Sequence, residues 1–285
     1  MNRPFFLRFA GLGDALFVNT IAHHYWLATS RRVIVAGNHP SIFQGTPGVL
    51  ALPTTSHAVA NRTGRLLKLL GIVDAMVYLG YQPEEAGSRM QPMPAHILSC
   101  LAAKVGLPTA PRRPVLFLSN QELQSAVLPQ TGKPWIAMHS TGVTIMTDNK
   151  NWFPARFETV AHKLRRDFRI VQLGLATDPT LPCDLDLRGR INPREAAATI
   201  ASCRALICQV GFLMHAAAAV GTPAVVVYGG FEAPSESGYD CNINLFTNLS
   251  CSPCWLPTKC PYDKECMKKI TAQDVFNGLD VLLAK

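Results

Sequence analysis

The chain has 285 residues, of which 48% are hydrophobic and 16% charged, and its formal net charge is +8. This composition excludes a disordered protein, and the length is sufficient for two domains of ordinary size. The sequence has no apolar run of about 18 residues, so we expect no membrane-spanning helix. It also lacks the pattern of a secretory signal, which predicts a cytoplasmic protein.

The positive charge is concentrated in the first half of the chain. Residues 1–133 carry 12 Lys and Arg against 5 Asp and Glu, whereas residues 134–285 carry 15 against 14. This asymmetry favours an anionic partner such as a phosphorylated glycolipid or a membrane surface; the alternative is a basic surface that serves only solubility. The sequence has no DNA- or RNA-binding motif, so we expect no nucleic-acid partner.

Predicted strands and helices alternate along the chain. In the first half, we predict strands at residues 4–10, 32–36 and 75–78 and helices at 15–29, 66–70 and 95–105, with a loop at 82–94. Polar residues, a proline and a glycine at 119–133 indicate a domain boundary, which divides the chain into residues 1–125 and 126–285. In the second half, we predict strands at 135–139, 170–173, 205–208 and 224–228 and helices at 157–166, 193–202 and 214–220. This order predicts two α/β domains with parallel sheets and a ligand site in a cleft between them.

The first candidate site is the run Gly11-Leu12-Gly13-Asp14, between the first predicted strand and the first helix. Open α/β sheets bind their ligands at the carboxyl ends of the strands. Glycines let the backbone turn sharply and let a ligand approach it closely. Asp14 is therefore a candidate catalytic carboxylate, and Gly11 and Gly13 are candidate ligand contacts. The alternative is that Asp14 only caps the helix.

Two glycine turns in the second half follow buried strands in the same way. Gly211 and His215 open an alanine-rich helix shortly after Gln209, and backbone N–H groups at such a helix start favour a diphosphate. Gly229 and Gly230 follow the next predicted strand. A purely structural role is the alternative for both turns, because many βα turns of α/β proteins have this pattern.

A further group of polar residues follows the strand at 135–139. Ser140 and Thr141 supply hydroxyl groups, and Lys150 stands in a short loop before the next helix. Hydroxyls and an ammonium group suit phosphate oxygens. A solvated loop lysine is the alternative for Lys150.

Four cysteines near the end of the chain have the spacing C-x2-C-x5-C-x5-C: Cys251, Cys254, Cys260 and Cys266. Four thiolates at short spacings fit a structural zinc or iron ion. Free thiols and disulfides are the alternatives, and a reducing cytoplasm disfavours disulfides.

Taken in this order, the motifs resemble glycosyltransferase family 9, the heptosyltransferases that use ADP-heptose, over residues 6–282. The segments that carry the resemblance are His139-Ser140-Thr141, Lys150-Asn151-Trp152-Phe153-Pro154, residues 211–223 and the cysteine-containing residues 251–267. The resemblance implies a GT-B fold with two Rossmann-like lobes. It also implies inverting transfer of a heptose from ADP to a glycolipid or protein hydroxyl, without a catalytic divalent metal. In the family branch that glycosylates autotransporter proteins, such cysteines hold iron.

The resemblance also assigns roles to residues of this chain. Asp14 corresponds to the general base and Lys150 to the lysine that stabilises the leaving diphosphate. Ser140 and Thr141 correspond to the family's phosphate-loop hydroxyls. Gly211 and His215 correspond to the turn on the nucleotide side. Glu232 stands near the position of the family's Thr-Asp-Pro segment.

One position departs from the family pattern, since many members have an aspartate where this chain has Gln209. A glutamine forms hydrogen bonds but carries no charge, and Gln209 is a candidate contact of the nucleotide sugar through such hydrogen bonds. A non-catalytic protein of the same fold, which binds sugar nucleotides or assembles with a partner, is therefore the alternative function. Association with the inner membrane surface and self-assembly into a homo-oligomer are left open. An NAD-linked oxidoreductase is disfavoured, because the first glycine turn lacks the third glycine of the dinucleotide-binding motif.

Overall fold

The computed structural model describes residues 3–80, 92–126, 128–129, 132–140 and 147–284. These residues form two compact units, one made of residues up to 80 together with 93–119, and the other of the described residues from 120 onward. The division at residues 125 and 126 that the sequence suggests stays a prediction. Within the described ranges, no helix has both the length and the apolar character needed to cross a bilayer.

The first unit is a parallel sheet with helices packed on it. Its strands are β1 (Arg3–Arg8), β2 (Val33–Gly37), β3 (Val49–Ala51) and β4 (Val73–Tyr78), and its helices are α1 (Leu12–Thr29), α2 (His57–Leu69) and α3 (Ile97–Lys104). The strand order is β3-β2-β1-β4, and all pairs are parallel. Phe5 and Phe6, on opposite faces of β1, are both buried. Burial on both faces explains the continuous apolar sequence of this strand.

The second unit is a larger parallel sheet. Its strands are β5 (Trp135–His139), β6 (Arg169–Leu173), β7 (Leu185–Asp186), β8 (Ala205–Gln209), β9 (Ala224–Gly229) and β10 (Ile243–Phe246). Its helices are α4 (Asn120–Ser125), α5 (Pro154–Leu164), α6 (Pro193–Ala201), α7 (Phe212–Val220), α8 (Pro234–Ser237), α9 (Glu265–Lys269) and α10 (Ala272–Leu283). The strand order is β10-β9-β8-β5-β6-β7. A core that includes Trp152 and Phe157 packs on one face of the sheet.

Both sheets reverse their strand order beside their first strand. In the first unit, β1 lies between β2 and β4, and in the second unit β5 lies between β6 and β8. The carboxyl ends of strands at such a reversal form a crevice in which α/β proteins bind ligands. Asp14 follows β1, Ser140 follows β5 and Gly211 follows β8. The fold thus places these predicted site residues at the favoured edges of their sheets.

The two parallel sheets with packed helices confirm the predicted α/β fold class. Most of the predicted elements are also present, with shifted ends. The first strand ends at Arg8 instead of residue 10, and the first helix begins at Leu12 instead of residue 15. The predicted short helix at 66–70 is wrong in extent, because it is the last turn of α2. Only Ala60 and Gly64 of that helix are buried, and neither is a large apolar residue that would have marked its earlier turns. The predicted loop at 82–94 lies largely outside the described residues.

Candidate functional site

The first unit places Asp14 in an ion pair at the end of β1. The guanidinium of Arg8 donates to Oδ1 of Asp14 from Nη2 at 2.8 Å and from Nε at 3.2 Å. The other oxygen, Oδ2, accepts a hydrogen bond from the backbone N–H of Gly11 at 3.1 Å. Gly11 is the N-cap of α1, and Asp14 is the third residue of the helix, with Gly13 before it in the same turn. The carboxylate therefore stabilises the helix start while its side chain stays 16% exposed.

Residues from the neighbouring strand ends surround this ion pair. The Arg8 guanidinium lies 5.8 Å from the centre of the Tyr78 ring, at the end of β4. After β2, the side-chain amide of Asn38 donates to the Ala10 carbonyl oxygen at 3.3 Å. Burial lowers the pKa of His39, although a hydrogen bond with Ala10 and the charge of Asp14 act in the opposite direction. Asp14 is thus held in a fixed orientation at the carboxyl edge of the sheet, and its catalytic role stays a prediction.

In the second unit, Lys150 and Glu232 form an ion pair. The Lys150 Nζ atom lies 2.5 Å from Oε1 of Glu232, and the two side chains are 19% and 6% exposed. The ammonium also lies 4.8 Å from the ring centre of Phe231 and 5.9 Å from that of Trp255. Two residues that the sequence singles out separately are therefore in direct contact.

A chain of hydrogen bonds continues from this ion pair into the core. The Ser237 hydroxyl donates to Oε2 of Glu232 at 2.7 Å and lies 3.3 Å from the Tyr228 hydroxyl. Burial, and then the charge of Glu232, raise the pKa of Tyr228 well above its ordinary value. Both oxygens of Glu232 are therefore engaged, one by the Lys150 cation and one by a buried hydroxyl.

Gln209 binds the segment that follows Lys150. Its amide Nε2 donates to Oδ1 of Asn151 at 2.7 Å, and its Oε1 accepts from the backbone N–H of Trp152 at 3.3 Å. Gln209 is buried at the carboxyl end of β8. In this structure its amide holds Asn151 and Trp152, which directly follow Lys150, and its predicted contact with the donor stays a prediction.

The start of α7 has room for a ligand. Gly211 is the N-cap of this nine-residue helix, and a Cβ atom added there would have no neighbour within 4 Å. His215 is buried one turn further along, with its Nδ1 atom 2.7 Å from the hydroxyl of Tyr239. The space beside Gly211 thus leaves a ligand room to approach this helix start, where backbone N–H groups favour a diphosphate.

Of the two predicted phosphate-binding residues, Ser140 and Thr141, the structure describes Ser140. Ser140 is fully buried, and its hydroxyl donates to the carbonyl oxygen of Pro179 at 2.8 Å and accepts from Nε2 of Gln172 at 3.2 Å. These bonds hold the end of β5 against the loop after β6. Thr141 lies outside the described residues. A phosphate contact by either hydroxyl stays a prediction.

Gly230 is closely covered by the segment of residues 251–266, here called the cysteine segment, and Gly229 is covered by Met267 directly after it. The backbone N–H of Cys254 donates to the Gly230 carbonyl oxygen at 3.0 Å, and Trp255 N–H donates to that of Phe231 at 2.9 Å. A Cβ atom at Gly230 would overlap the Ser252 hydroxyl and lie 3.0 Å from Cβ of Cys266. The absence of a side chain at Gly230 therefore lets the cysteine segment approach the sheet, apart from any role in ligand binding.

The four cysteines of the segment line one cavity of about 330 Å³. Burial raises the pKa of the Cys266 thiol, and the neighbouring Cys254, Cys260 and Cys251 raise it further. Among the described residues, no three or more His, Cys, Asp or Glu side chains are grouped closely enough to hold a metal ion. Thiols are ligands that zinc and iron prefer, and binding of a metal ion by these four cysteines stays a prediction.

Replacing Gly230 with alanine is expected to destabilise the second unit by about 1–3 kcal/mol. The added methyl group would overlap the Ser252 hydroxyl and crowd the Cys266 side chain, which already fill the space beside Gly230. The measurement is thermal or urea denaturation of the purified protein. Gly211→Ala is the matched control, because a methyl group there meets open space. Equal unfolding free energies for the two variants would contradict the close packing of the cysteine segment on Gly230.

Several residues of these sites were not found from the sequence. Arg8 is the last residue of β1 and follows the apolar run from Pro4 to Leu7, and a charge at that position was an available signal. Asn149 and Trp255 each stand next to a predicted residue. The hydrogen bond from Asn149 to Leu256 joins residues 107 positions apart, and that from Trp255 to Glu236 joins residues 19 positions apart. Such pairs depend on the tertiary fold and leave no local pattern.

Comparison with known proteins adds evidence to this geometry. The sequence profile of glycosyltransferase family 9 (heptosyltransferase) matches residues 85–264, which is more than half of the chain. The chain belongs to glycosyltransferase family 9. This match confirms the resemblance seen in the sequence. It spans the Lys150–Glu232 pair, Gln209, Gly211 and most of the cysteine segment. Comparison with curated protein sequences gives no match.

Solved structures of family members have the same fold. A family 9 glycosyltransferase from Veillonella parvula superposes with a TM-score of 0.74 and 15% identity, covering 99% of this chain and 97% of that one. The ADP-heptose lipopolysaccharide heptosyltransferase II of Escherichia coli gives 0.69 and 16%, covering 100% and 99%. TibC of enterotoxigenic Escherichia coli, an iron-containing dodecameric heptosyltransferase seen in complex with ADP-heptose, gives 0.73 and 17%, covering 99% and 76%. At these identities, the likeness concerns the fold.

Proposed function

We propose that this family 9 protein is an inverting glycosyltransferase that moves a heptose from ADP-heptose to an acceptor hydroxyl. The observation that carries the proposal is the Lys150–Glu232 centre together with the open start of α7, both at the carboxyl edge of the second sheet. An ammonium and a row of backbone N–H groups suit a nucleoside diphosphate. ADP-heptose is bound by TibC, a structural neighbour.

In the proposed reaction, the acceptor oxygen attacks the anomeric carbon as the bond from that carbon to the diphosphate oxygen breaks. Asp14 takes the proton of the acceptor hydroxyl as general base. The negative charge that develops on the departing ADP meets the Lys150 ammonium and the N–H groups near Gly211. Because these groups neutralise the leaving group, we propose that the chemistry needs no divalent cation.

The acceptor is proposed to be anionic, since the first half of the chain carries the basic excess. A phosphorylated glycolipid at the inner membrane surface fits this charge, and an acidic protein that offers a hydroxyl fits it as well. The cysteine segment is proposed to hold one iron or zinc ion through Cys251, Cys254, Cys260 and Cys266. Bound metal would supply structural cross-linking of the segment. An assembly of several copies is also proposed, because TibC is a dodecamer.

Native mass spectrometry of the purified protein with a panel of nucleotide sugars tests these proposals together. We expect selective retention of ADP-heptose, one iron or zinc per chain and a mass that corresponds to several subunits. Transfer of labelled heptose is then measured with a glycolipid and with a protein acceptor. Binding without transfer to either acceptor and without donor hydrolysis would support the non-catalytic alternative, and retention of no ADP-linked sugar would contradict the proposed donor.

A further inference from the structure

The short 3₁₀ turn Asp148–Lys150, here called the Lys150 turn, is attached to the cysteine segment. Asn149 is buried, and its Nδ2 atom donates to the carbonyl oxygens of Leu256 at 2.7 Å and Thr258 at 2.8 Å. The Thr147 hydroxyl donates to the same Leu256 oxygen at 3.3 Å. Leu256 and Thr258 lie in the chain between Cys254 and Cys260. The Asn149 side chain, next to Lys150, is thus hydrogen-bonded to the backbone of the cysteine segment.

A second contact joins the same two parts of the chain. The Nζ atom of Lys264 lies 2.6 Å from Oδ2 of Asp148 and 3.3 Å from its backbone oxygen. Lys264 stands between Cys260 and Cys266. The Lys150 turn is therefore bound by both of the five-residue intervals between the cysteines, residues 255–259 and 261–265.

The cysteine segment also forms part of the wall around the Lys150 ammonium. Trp255 follows Cys254 directly, and its indole Nε1 donates to both oxygens of Glu236 at 2.9 and 3.1 Å. Its ring then lies against Phe231, with 5.2 Å between the ring centres, and both rings are near Lys150 Nζ. The position of the Lys150 ammonium thus depends on the cysteine segment in two ways. The segment holds the backbone of the Lys150 turn, and its Trp255 ring forms part of the surroundings of the ammonium.

We infer that Asn149 is a positioning residue, which holds Lys150 in place for the diphosphate by tying the Lys150 turn to the cysteine segment. The inference rests on the proposed function of Lys150. A lysine side chain has several freely rotating bonds, so its effect on a ligand depends on how firmly its backbone is held. Loss of the Asn149 amide would remove the hydrogen bond to the Thr258 carbonyl oxygen and leave Leu256 only the longer hydrogen bond from Thr147, and it would release the turn.

A double-mutant cycle tests whether Asn149 acts through Lys150. The dissociation constant of ADP is measured by titration calorimetry for the intact chain, Asn149→Ala, Lys150→Ala and the double variant. We expect Asn149→Ala to weaken ADP binding about tenfold, in line with the loss of buried hydrogen bonds. In the Lys150→Ala background, the same change is expected to alter binding less than about twofold, because its effect passes through Lys150. Equal weakening in both backgrounds would overturn the inference.

Asn242→Ala is the matched control for a general loss of stability. Asn242 is also buried, and its Oδ1 accepts from the backbone N–H of Ala224 at 3.0 Å, at the amino end of β9. The same side chain is removed from the same unit, at the opposite edge of the sheet. ADP binding is expected to be unchanged. If Asn242→Ala weakens it as much as Asn149→Ala, the effect of Asn149 is general loosening and the inference fails.

A second measurement does not depend on ADP. The rate of reductive methylation of Lys150 is followed by mass spectrometry, with Lys163 of α5 as the internal reference. We expect Asn149→Ala to raise the rate at Lys150 several-fold and Asn242→Ala to leave it unchanged. An unchanged rate in Asn149→Ala would overturn the inference. If the rate rises while Lys150→Ala binds ADP as tightly as the intact chain, the proposed role of Lys150 is wrong and the positioning by Asn149 stands.

Discussion

Asp14→Asn is expected to lower the rate of heptose transfer by roughly 10²–10⁴-fold, which is the usual contribution of a general base. Asparagine keeps the size of the side chain, and its carbonyl oxygen can still accept from the Gly11 N–H group. It cannot take up the proton of the acceptor hydroxyl. The measurements are steady-state kinetics of transfer and calorimetric titration with ADP, and we expect ADP affinity to stay unchanged.

The loss of an ion pair has to be separated from the loss of a base. Asp74→Asn serves this purpose, because Asp74 pairs with Arg31 in the same unit and is far along the chain from the Gly11 turn. This control is expected to keep full transfer activity. The role of Asp14 as base would be rejected if both variants kept the same activity, or if Asp14→Asn lost ADP binding in proportion to its loss of transfer.

Lys150→Ala is expected to reduce turnover by roughly 10²–10³-fold, the effect seen when a group that stabilises developing negative charge is removed. It is also expected to lower stability. The Glu232 carboxylate, which is largely buried, loses its cation and keeps, among the residues that the structure describes, the Ser237 hydroxyl as its hydrogen-bond partner. Breaking a buried ion pair on one side costs about 3 kcal/mol or more, and partial exposure of Lys150 reduces that figure. Turnover and unfolding free energy are measured on the same preparation.

The double variant Lys150→Ala with Glu232→Gln separates these two effects. A neutral glutamine removes the uncompensated charge and still accepts from Ser237, so stability is expected to recover. Turnover is expected to remain low, because the ammonium is still absent. Recovery of turnover together with stability would show that Lys150 acts through the fold alone.

Much of the fold could be predicted because its signals are local. Buried parallel strands such as β1 and β9 are continuous apolar runs that end at glycine turns, and these two features fix both their type and the edge at which ligands bind. The short strands β3, β7 and β10 were missed, since they are only partly buried and have two to four residues. The short α9 and the longer α10 after the cysteines also have no counterpart among the predicted elements.

The site could be predicted only as separate motifs. The contact between Lys150 and Glu232 joins residues 82 positions apart, and that between Gln209 and Asn151 joins residues 58 apart. No spacing rule reports such pairs, because they arise from the order of strands in the second sheet. The family resemblance identified Lys150, whereas the function of its neighbour Asn149 became visible only in the contacts with Leu256 and Thr258.

The carboxylate of Glu232 has a consequence for the choice of ligand. When no donor is present, Glu232 already serves as a counterion to Lys150 at 2.5 Å. The binding free energy of an incoming anion therefore includes only the difference between its own interaction with the ammonium and that of Glu232. We therefore expect a small anion such as inorganic phosphate to compete poorly with Glu232 for the Lys150 ammonium. In the proposed site, a nucleoside diphosphate would also meet the N–H groups at Gly211 and gain this added interaction. In the proposed reaction, Glu232 would compete again for the ammonium after the sugar has left, which would favour departure of ADP.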